Sequence, residues 1–260
     1  LLYWGLWESP QIMESLFKEF QSTNPHITIV YQQQNSSDYR ERLSSALQSG
    51  QGPDIFRYHH TWVPMLSNSL SPMPTSIMTQ SEFNSIFYPI ASQWLIGPGG
   101  PVGIPLMFDG LGLYYNRTIF DAAGKNPPTT WEELRRTASQ LTIKNTSGSI
   151  QRAGVALGTT SNVDNWSDIV GLMMLQNGAD PAKPNTESGQ GALTFYTIFN
   201  QKDQIWDDSL PNSTYAFAIE KVAMILAPSW RAHEILDINK EINFAIAPVP
   251  QLPDTNVSWG

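Results

Sequence analysis

A chain of 260 residues, 41% hydrophobic and 15% charged, has the make-up of a globular protein large enough for one big domain or two smaller lobes. It has no cysteine, which excludes disulfides, thiolate metal sites and a cysteine nucleophile. Its net charge of −8, with no basic run, argues against nucleic acid as a partner, because a phosphate-binding surface needs clustered Lys and Arg.

The first strand signal is the apolar run Leu1 to Trp7, with no charged leader in front of it. An export signal is therefore expected to have been removed or to lie outside this sequence. Ser9-Pro10 then marks a helix start, Ser9 as cap and Pro10 at the first helical position. Ile12, Met13, Leu16, Phe17 and Phe20 recur at helical spacing and predict one apolar face. Asn24-Pro25 ends that helix. Ile27 to Gln33 reads as a second strand, Ser37 to Gln48 as a second helix, and Pro53 to Phe56 as the start of a third strand. This β-α-β-α-β opening predicts a mostly parallel sheet covered by helices.

Prolines and glycines punctuate the middle of the chain, ending in Gly97-Pro98-Gly99-Gly100-Pro101, which reads as a turn. Two strand-like runs follow, Val102 to Phe108 and Gly110 to Asn116. Thr130 to Glu133 is a Thr-x-x-Glu capping box opening a helix to about Leu141. Ala153 to Leu157 reads as a strand, Trp166 to Gln176 and Ala192 to Gln201 as helices, and Val222 to Ala227 as a short buried strand. Ser229-Trp230 opens a helix to about Asn239, and Phe244 to Val249 is the last strand. No stretch reaches the ~20 apolar residues that span a bilayer.

No catalytic constellation stands out. His59 and His60 are adjacent, so on a strand their rings would point to opposite faces and would not share a metal. The metalloprotease, calcium-loop, nucleophile-elbow and phosphate-loop patterns are all missing from the sequence. No cofactor or metal is expected. Asp109 and Asp164 are the candidates for a glycosidase-type carboxylate pair, although the sequence does not fix their separation. The nine Trp and nine Tyr are more informative. Trp7, Trp62, Trp166 and Trp230 fall at predicted junctions between strands and helices. In open α/β sheets ligands bind at the carboxyl ends of strands, and a Trp there offers a flat face to the C–H side of a sugar ring. Each Trp could equally be core packing.

Five segments carry a family resemblance: Tyr3-Trp4-Gly5-Leu6-Trp7; Gly52-Pro53-Asp54-Ile55-Phe56; Gly103-Ile104-Pro105; Asp109-Gly110-Leu111-Gly112-Leu113-Tyr114-Tyr115-Asn116; and Pro127-Pro128-Thr129-Thr130-Trp131-Glu132-Glu133-Leu134. In this order they resemble the sugar-importing branch of the bacterial extracellular solute-binding proteins, the group that includes maltose-binding protein. One departure is visible: where many relatives carry Gly-Lys before a strand, this chain has Glu220-Lys221. A glycine there would permit a tight turn.

The resemblance implies an α/β, two-lobed, type II periplasmic-binding-protein fold with hinge-linked lobes. It places lobe one at residues 1–108, lobe two at 109–248, and a return crossover towards lobe one at 249–260, with crossings near Met107 to Gly110 and Ala247 to Gln251. The chain is then expected to be cut short at its C-terminus. The implied activity is non-catalytic: the substrate-binding component of an ABC importer, holding a small carbohydrate-like solute between the lobes. Its partners would be the solute and the permease subunits, and the protein would be a periplasmic or extracellular monomer, with or without a lipid anchor. Carried over by position, the ligand residues are Trp7, Glu8, His59, His60, Trp62 and Asp109, then Asn162, Asp164, Trp166, Trp230 and Arg231. The residues leave plainer roles open. Glu8 and Asp164 could serve helix N-termini, Asp109 could cap backbone amides, and Arg231 could pair with Glu234. Two other functions stay open as well: a glycoside-acting enzyme using Asp109 and Asp164, and a solute sensor for a signalling partner.

Overall fold

The computed structural model describes residues 1–259, which fall into two units, Leu1–Met107 and Phe108–Gly260.

The first unit is built on three parallel strands. Strand β1 (Leu2–Gly5) lies between β2 (Val30–Gln33) and β3 (Ile55–Phe56). Helices α1 (Pro10–Thr23) and α2 (Tyr39–Gln48) are the crossovers. Parallel strands need such crossovers, so the βαβαβ reading of the opening segment gives the right order. Pro10 is the first residue of α1, but the Ser9 hydroxyl makes no capping bond. The Ser9 carbonyl instead accepts the Ile12 and Met13 amides. The expected apolar face of α1 splits. Met13 is buried and Phe17 packs edge-on against Tyr3, whereas Ile12, Leu16 and Phe20 are exposed. One small core gathers Leu6, Tyr39, Leu43 and Leu66, and a second gathers Phe83, Ala91 and Leu95.

Beyond β3 come α3 (Val63–Leu66), α4 (Gln80–Ile86) and α5 (Pro89–Leu95). Helix α4 opens on a capping box in which Thr79 and Glu82 satisfy each other's amides. The Gly-Pro-rich turn is the tip of a hairpin between β4 (Ile96–Gly97) and β5 (Gly100–Pro101). The strand expected over Val102 to Phe108 does not form. The segment has no regular pairing, and Pro105 within it has no amide to contribute to a ladder.

The second unit has an antiparallel sheet, so parallel pairing dominates only the first. Strand β6 (Leu111–Asn116) is followed by α6 (Arg117–Ala122), α7 (Trp131–Leu141), β7 (Ile143–Lys144) and β8 (Ile150–Arg152). Then come α8 (Trp166–Gln176), α9 (Glu187–Gln201), α10 (Ser213–Ala218), β9 (Met224–Pro228), α11 (Arg231–Ile238) and β10 (Phe244–Ala247). The sheet order is β10-β6-β9, both pairings antiparallel. The Thr130 capping box of α7 is present in full, and α8 spans the predicted residues. Ala153 to Leu157 makes only an isolated bridge, Ala153 with Val222, although every residue in it is buried. Gly154 explains the close passage: a Cβ there would come 1.9 Å from the Ala138 carbonyl oxygen of α7.

The stretch from residue 249, expected as a crossover towards lobe one, packs within the second unit. Val249 is buried in its core, and the Gln251 amide donates to the Thr129 carbonyl at 2.9 Å. Trp259 donates through Nε1 to Asp168 Oδ1 at 3.0 Å and lies over Gly171, where a Cβ would meet its ring at 2.7 Å.

Candidate functional site

The carboxyl ends of β1 and β3 emerge side by side in the first unit. Because Trp4 pairs with Phe56, the residues that follow each strand become neighbours. Gly5 lets Tyr31 approach, since a Cβ there would lie 2.0 Å from Tyr31 Oη. The Tyr31 hydroxyl then donates to the Glu8 carbonyl at 2.6 Å. Glu8 Oε1 pairs with Arg57 Nη2 at 3.3 Å, and Glu8 Oε2 is buried with no hydrogen-bond partner. The Arg57 guanidinium carbon lies 5.5 Å from the centre of the Trp7 ring, and Trp7 is 63% exposed. Trp7 and Glu8 thus come together on Arg57. Sequence reasoning missed Arg57, and its only signal was a charge one residue past a short apolar strand.

His59 and His60 do not diverge as a strand would make them. They open a single 3₁₀ turn, His60–Trp62, capped by His59 Nδ1 on the Thr61 amide. The turn brings the two imidazoles to 4.3 Å, and His60 to 5.4 Å from Trp94. Burial, and then His59, push the His60 pKa below its ordinary value. Trp62 is half-buried, packed 6.2 Å from Tyr39 within the first core.

Asp109 fastens the start of β6 to the end of β9 in the second unit. Its Oδ1 accepts the Gly110 amide at 2.7 Å and the Ser229 amide at 2.9 Å, the plainer of its two sequence readings. Tyr114 Oη donates to the carbonyls of Pro228 at 2.8 Å and Ser229 at 3.1 Å, and burial pushes its pKa up to about 12. A concavity of about 400 Å³ opens here, lined by Asp109, Gly112, Tyr114, Ser229, Ile246 and Trp259 among others.

Trp230, next in sequence after Ser229, is 52% exposed and carries the Arg231 guanidinium 4.2 Å above its ring. Arg231 pairs with Glu234 at 2.5 Å, and its Nε is buried without a partner. Asp164 Oδ2 accepts the Thr214 amide at 2.9 Å and the Ser213 hydroxyl at 3.1 Å. Burial opposes its ionisation, but the bonds from Thr214, the charge of Arg231 and the Ser213 hydroxyl outweigh it and hold the carboxyl below its usual range. Arg231 and Trp230 are therefore one cation–aromatic pair, and Asp164 is held separately by Ser213 and Thr214. Trp166 stands 40% exposed at the start of α8. Asn162 differs: it is buried, and its side chain is bonded on all sides to Thr159, Trp206, Asp207 and Leu210.

Chemically, the exposed rings offer stacking faces beside groups that donate to or accept from hydroxyls, the usual mix in a small-ligand site. Among the described residues no group of three or more His, Asp or Glu could hold a metal, and no helix is long and apolar enough to cross a membrane.

Residues 5–259 match the family model for bacterial extracellular solute-binding protein. The chain is 21% identical over 249 residues to the maltotriose-binding protein of Pyrococcus abyssi, covering 93% of this chain and 51% of that protein. It thus spans about half the length of that relative. Among solved structures, an ABC transporter solute-binding protein from Thermotoga lettingae bound with α-D-tagatose superposes with a TM-score of 0.74 at 23% identity, over 100% of this chain and 70% of that one. The Thermus thermophilus maltotriose-binding protein gives 0.71 at 20% identity, over 100% and 69%. The fold is the two-lobed, type II periplasmic-binding-protein fold, and the chain belongs to the bacterial extracellular solute-binding proteins.

Proposed function

We propose that the chain serves as the substrate-binding part of an ABC importer, acting outside the cytoplasmic membrane on an uncharged, carbohydrate-like solute. The observation that carries this reading is the Trp230–Arg231 pair. An exposed indole is set on Arg231, and in the same unit Asp164 is held below the usual carboxylate range by bonds to backbone and hydroxyl rather than to a catalytic partner. Trp7, Glu8, His59, His60 and Trp62 make another set at the strand ends of the first unit. Each unit offers an exposed indole to the C–H face of a sugar, Trp7 in the first and Trp230 in the second, with His60 in the first and Asp164 and Arg231 in the second as partners for hydroxyls. Charges in both sets are already paired, Glu8 with Arg57 and Arg231 with Glu234, so the sites suit a neutral ligand better than a phosphate or a peptide terminus. Catalysis is not part of this reading, since Asp109 and Asp164 both bond backbone amides. The permease subunits, and the sugars bound by the relatives, supply the expected partner and ligand class.

Calorimetry against a panel that includes maltotriose and D-tagatose tests the proposal. Saturable binding, with the sugar recovered unchanged after prolonged incubation, is the expected result. Hydrolysed product would move the protein to the enzymes, and no binding across the panel would remove the carbohydrate assignment.

A further inference from the structure

Arg57 meets two candidate ligand residues of the first unit at once, Glu8 and Trp7. Its side chain is only 11% exposed, and a guanidinium so far from water needs a partner. Glu8 provides it at 3.3 Å. The guanidinium carbon meanwhile lies over the Trp7 ring, 5.5 Å from its centre. The Arg57 backbone is held just as firmly. Its amide donates to the Trp4 carbonyl at 2.9 Å, extending the β1–β3 pairing, and its carbonyl accepts the Tyr39 hydroxyl at 2.8 Å. The anchor therefore directly follows β3, while both residues it touches follow β1. Trp7 is 63% exposed, so burial does little to fix its ring. An exposed indole that must be ordered by its ligand charges that ordering against affinity, and pre-ordering removes the charge. Lysine would not substitute, since it brings a point charge but no flat face.

We propose that Arg57 is the positioning residue of the first unit's ligand surface, holding the Glu8 carboxylate with its charge and presetting the Trp7 ring with its face. The inference rests on the carbohydrate-binding reading for its functional meaning, but it can be tested without a ligand. In the ligand-free full chain, acrylamide quenching of the Trp7 fluorescence, identified by difference from Trp7→Phe, should rise in both Arg57→Met and Arg57→Lys. A double-mutant cycle with Glu8→Gln on the unfolding midpoint should show coupling for Arg57→Met, whereas Arg57→Lys should keep the Glu8 pairing. With maltotriose and D-tagatose, Arg57→Met should lose about tenfold in affinity, and Arg57→Lys should recover only part of it. If Arg57→Lys folds with Trp7 quenching and sugar affinity unchanged, the positioning role is wrong. If neither sugar binds the wild type, the carbohydrate reading fails, while the quenching and the Glu8 cycle still decide what Arg57 does.

Discussion

Trp206 Nε1 donates to Asn162 Oδ1 at 2.8 Å in the buried centre of the second unit. The same oxygen accepts the Thr159 hydroxyl, and Asn162 Nδ2 donates to the carbonyls of Asp207 at 3.0 Å and Leu210 at 2.9 Å. Two donors and two lone pairs are the whole capacity of an amide side chain, so none is left for a ligand. Asn162→Ala should therefore act on stability. It leaves two carbonyls and weakens the hold on an indole N–H in a dry core, a loss of about 2–4 kcal/mol. Urea denaturation measures it. An unchanged midpoint with a large fall in sugar affinity would return Asn162 to the ligand residues.

Trp62 and Trp230 should separate in the same assays. Trp230 is half exposed and its named neighbour is the Arg231 guanidinium, so Trp230→Ala should weaken sugar binding with little change in melting temperature. Stacking and cation–π losses of this kind are worth about 0.5–2 kcal/mol. Trp62 packs on Tyr39 inside the first core, so Trp62→Ala should lower affinity and stability together, with about 1–3 kcal/mol on the stability side. Equal melting losses for the two variants would mean that Trp230 is also a packing residue.

What could be read from the sequence follows from how local the determining physics is. The Thr130–Glu133 capping box and α8 are set by adjacent residues and fall where the pattern puts them. Helices α4, α5 and α10, of six or seven residues, are too short for a 3.6-residue periodicity to show. The split face of α1 has the same origin, because five apolar positions cannot say which two the sheet will accept. At the site, the aromatic residues were visible as a composition, but their partners were not. Arg57 matters only because parallel pairing sets the ends of β1 and β3 together. The facing imidazoles of His59 and His60 depend on a 3₁₀ turn where alternation suggested a strand. Conversely, Asn162 had the chemistry of a ligand residue and an environment that only the folded chain reveals.

The His59–His60 arrangement should make the stability of the first unit depend on pH. Burial, and then the neighbouring His59, lower the His60 pKa, while Trp94 packs on its ring. In the unfolded chain the same imidazole takes a proton near pH 6.5. Above that pH both states are neutral and the stability contribution is complete. As pH falls through 6.5 towards the folded-state pKa, the unfolded state binds more protons and stability declines. The wild-type denaturation midpoint should fall between pH 7.5 and pH 5, and His60→Gln should flatten part of that fall. Superimposable pH profiles would place the sensitivity elsewhere.

Glu220, the departure from the family pattern that the sequence suggests, sits in a turn that keeps the geometry glycine favours. Its φ is +60°. Helix α10 ends in a Schellman motif, with the Glu220 amide donating to the Phe217 carbonyl at 3.0 Å and the Lys221 amide to the Ala216 carbonyl at 2.8 Å. A residue with a Cβ pays roughly 1–2 kcal/mol to enter this left-handed region. Glycine avoids that strain but loses more chain entropy on folding, which returns about 0.5–1 kcal/mol of the gain. Glu220 is exposed and no hydrogen bond or ion pair of its side chain is among those described, so little else is at stake. Glu220→Gly should stabilise the second unit by about 0.5–1 kcal/mol, and Glu220→Val should destabilise it, because branching at Cβ worsens the left-handed strain. Chemical denaturation of the three proteins tests the order Gly, Glu, Val. If Glu220→Gly were less stable than the wild type, the carboxylate would be contributing through the surface field of the helix end, and backbone strain would not be what distinguishes this turn.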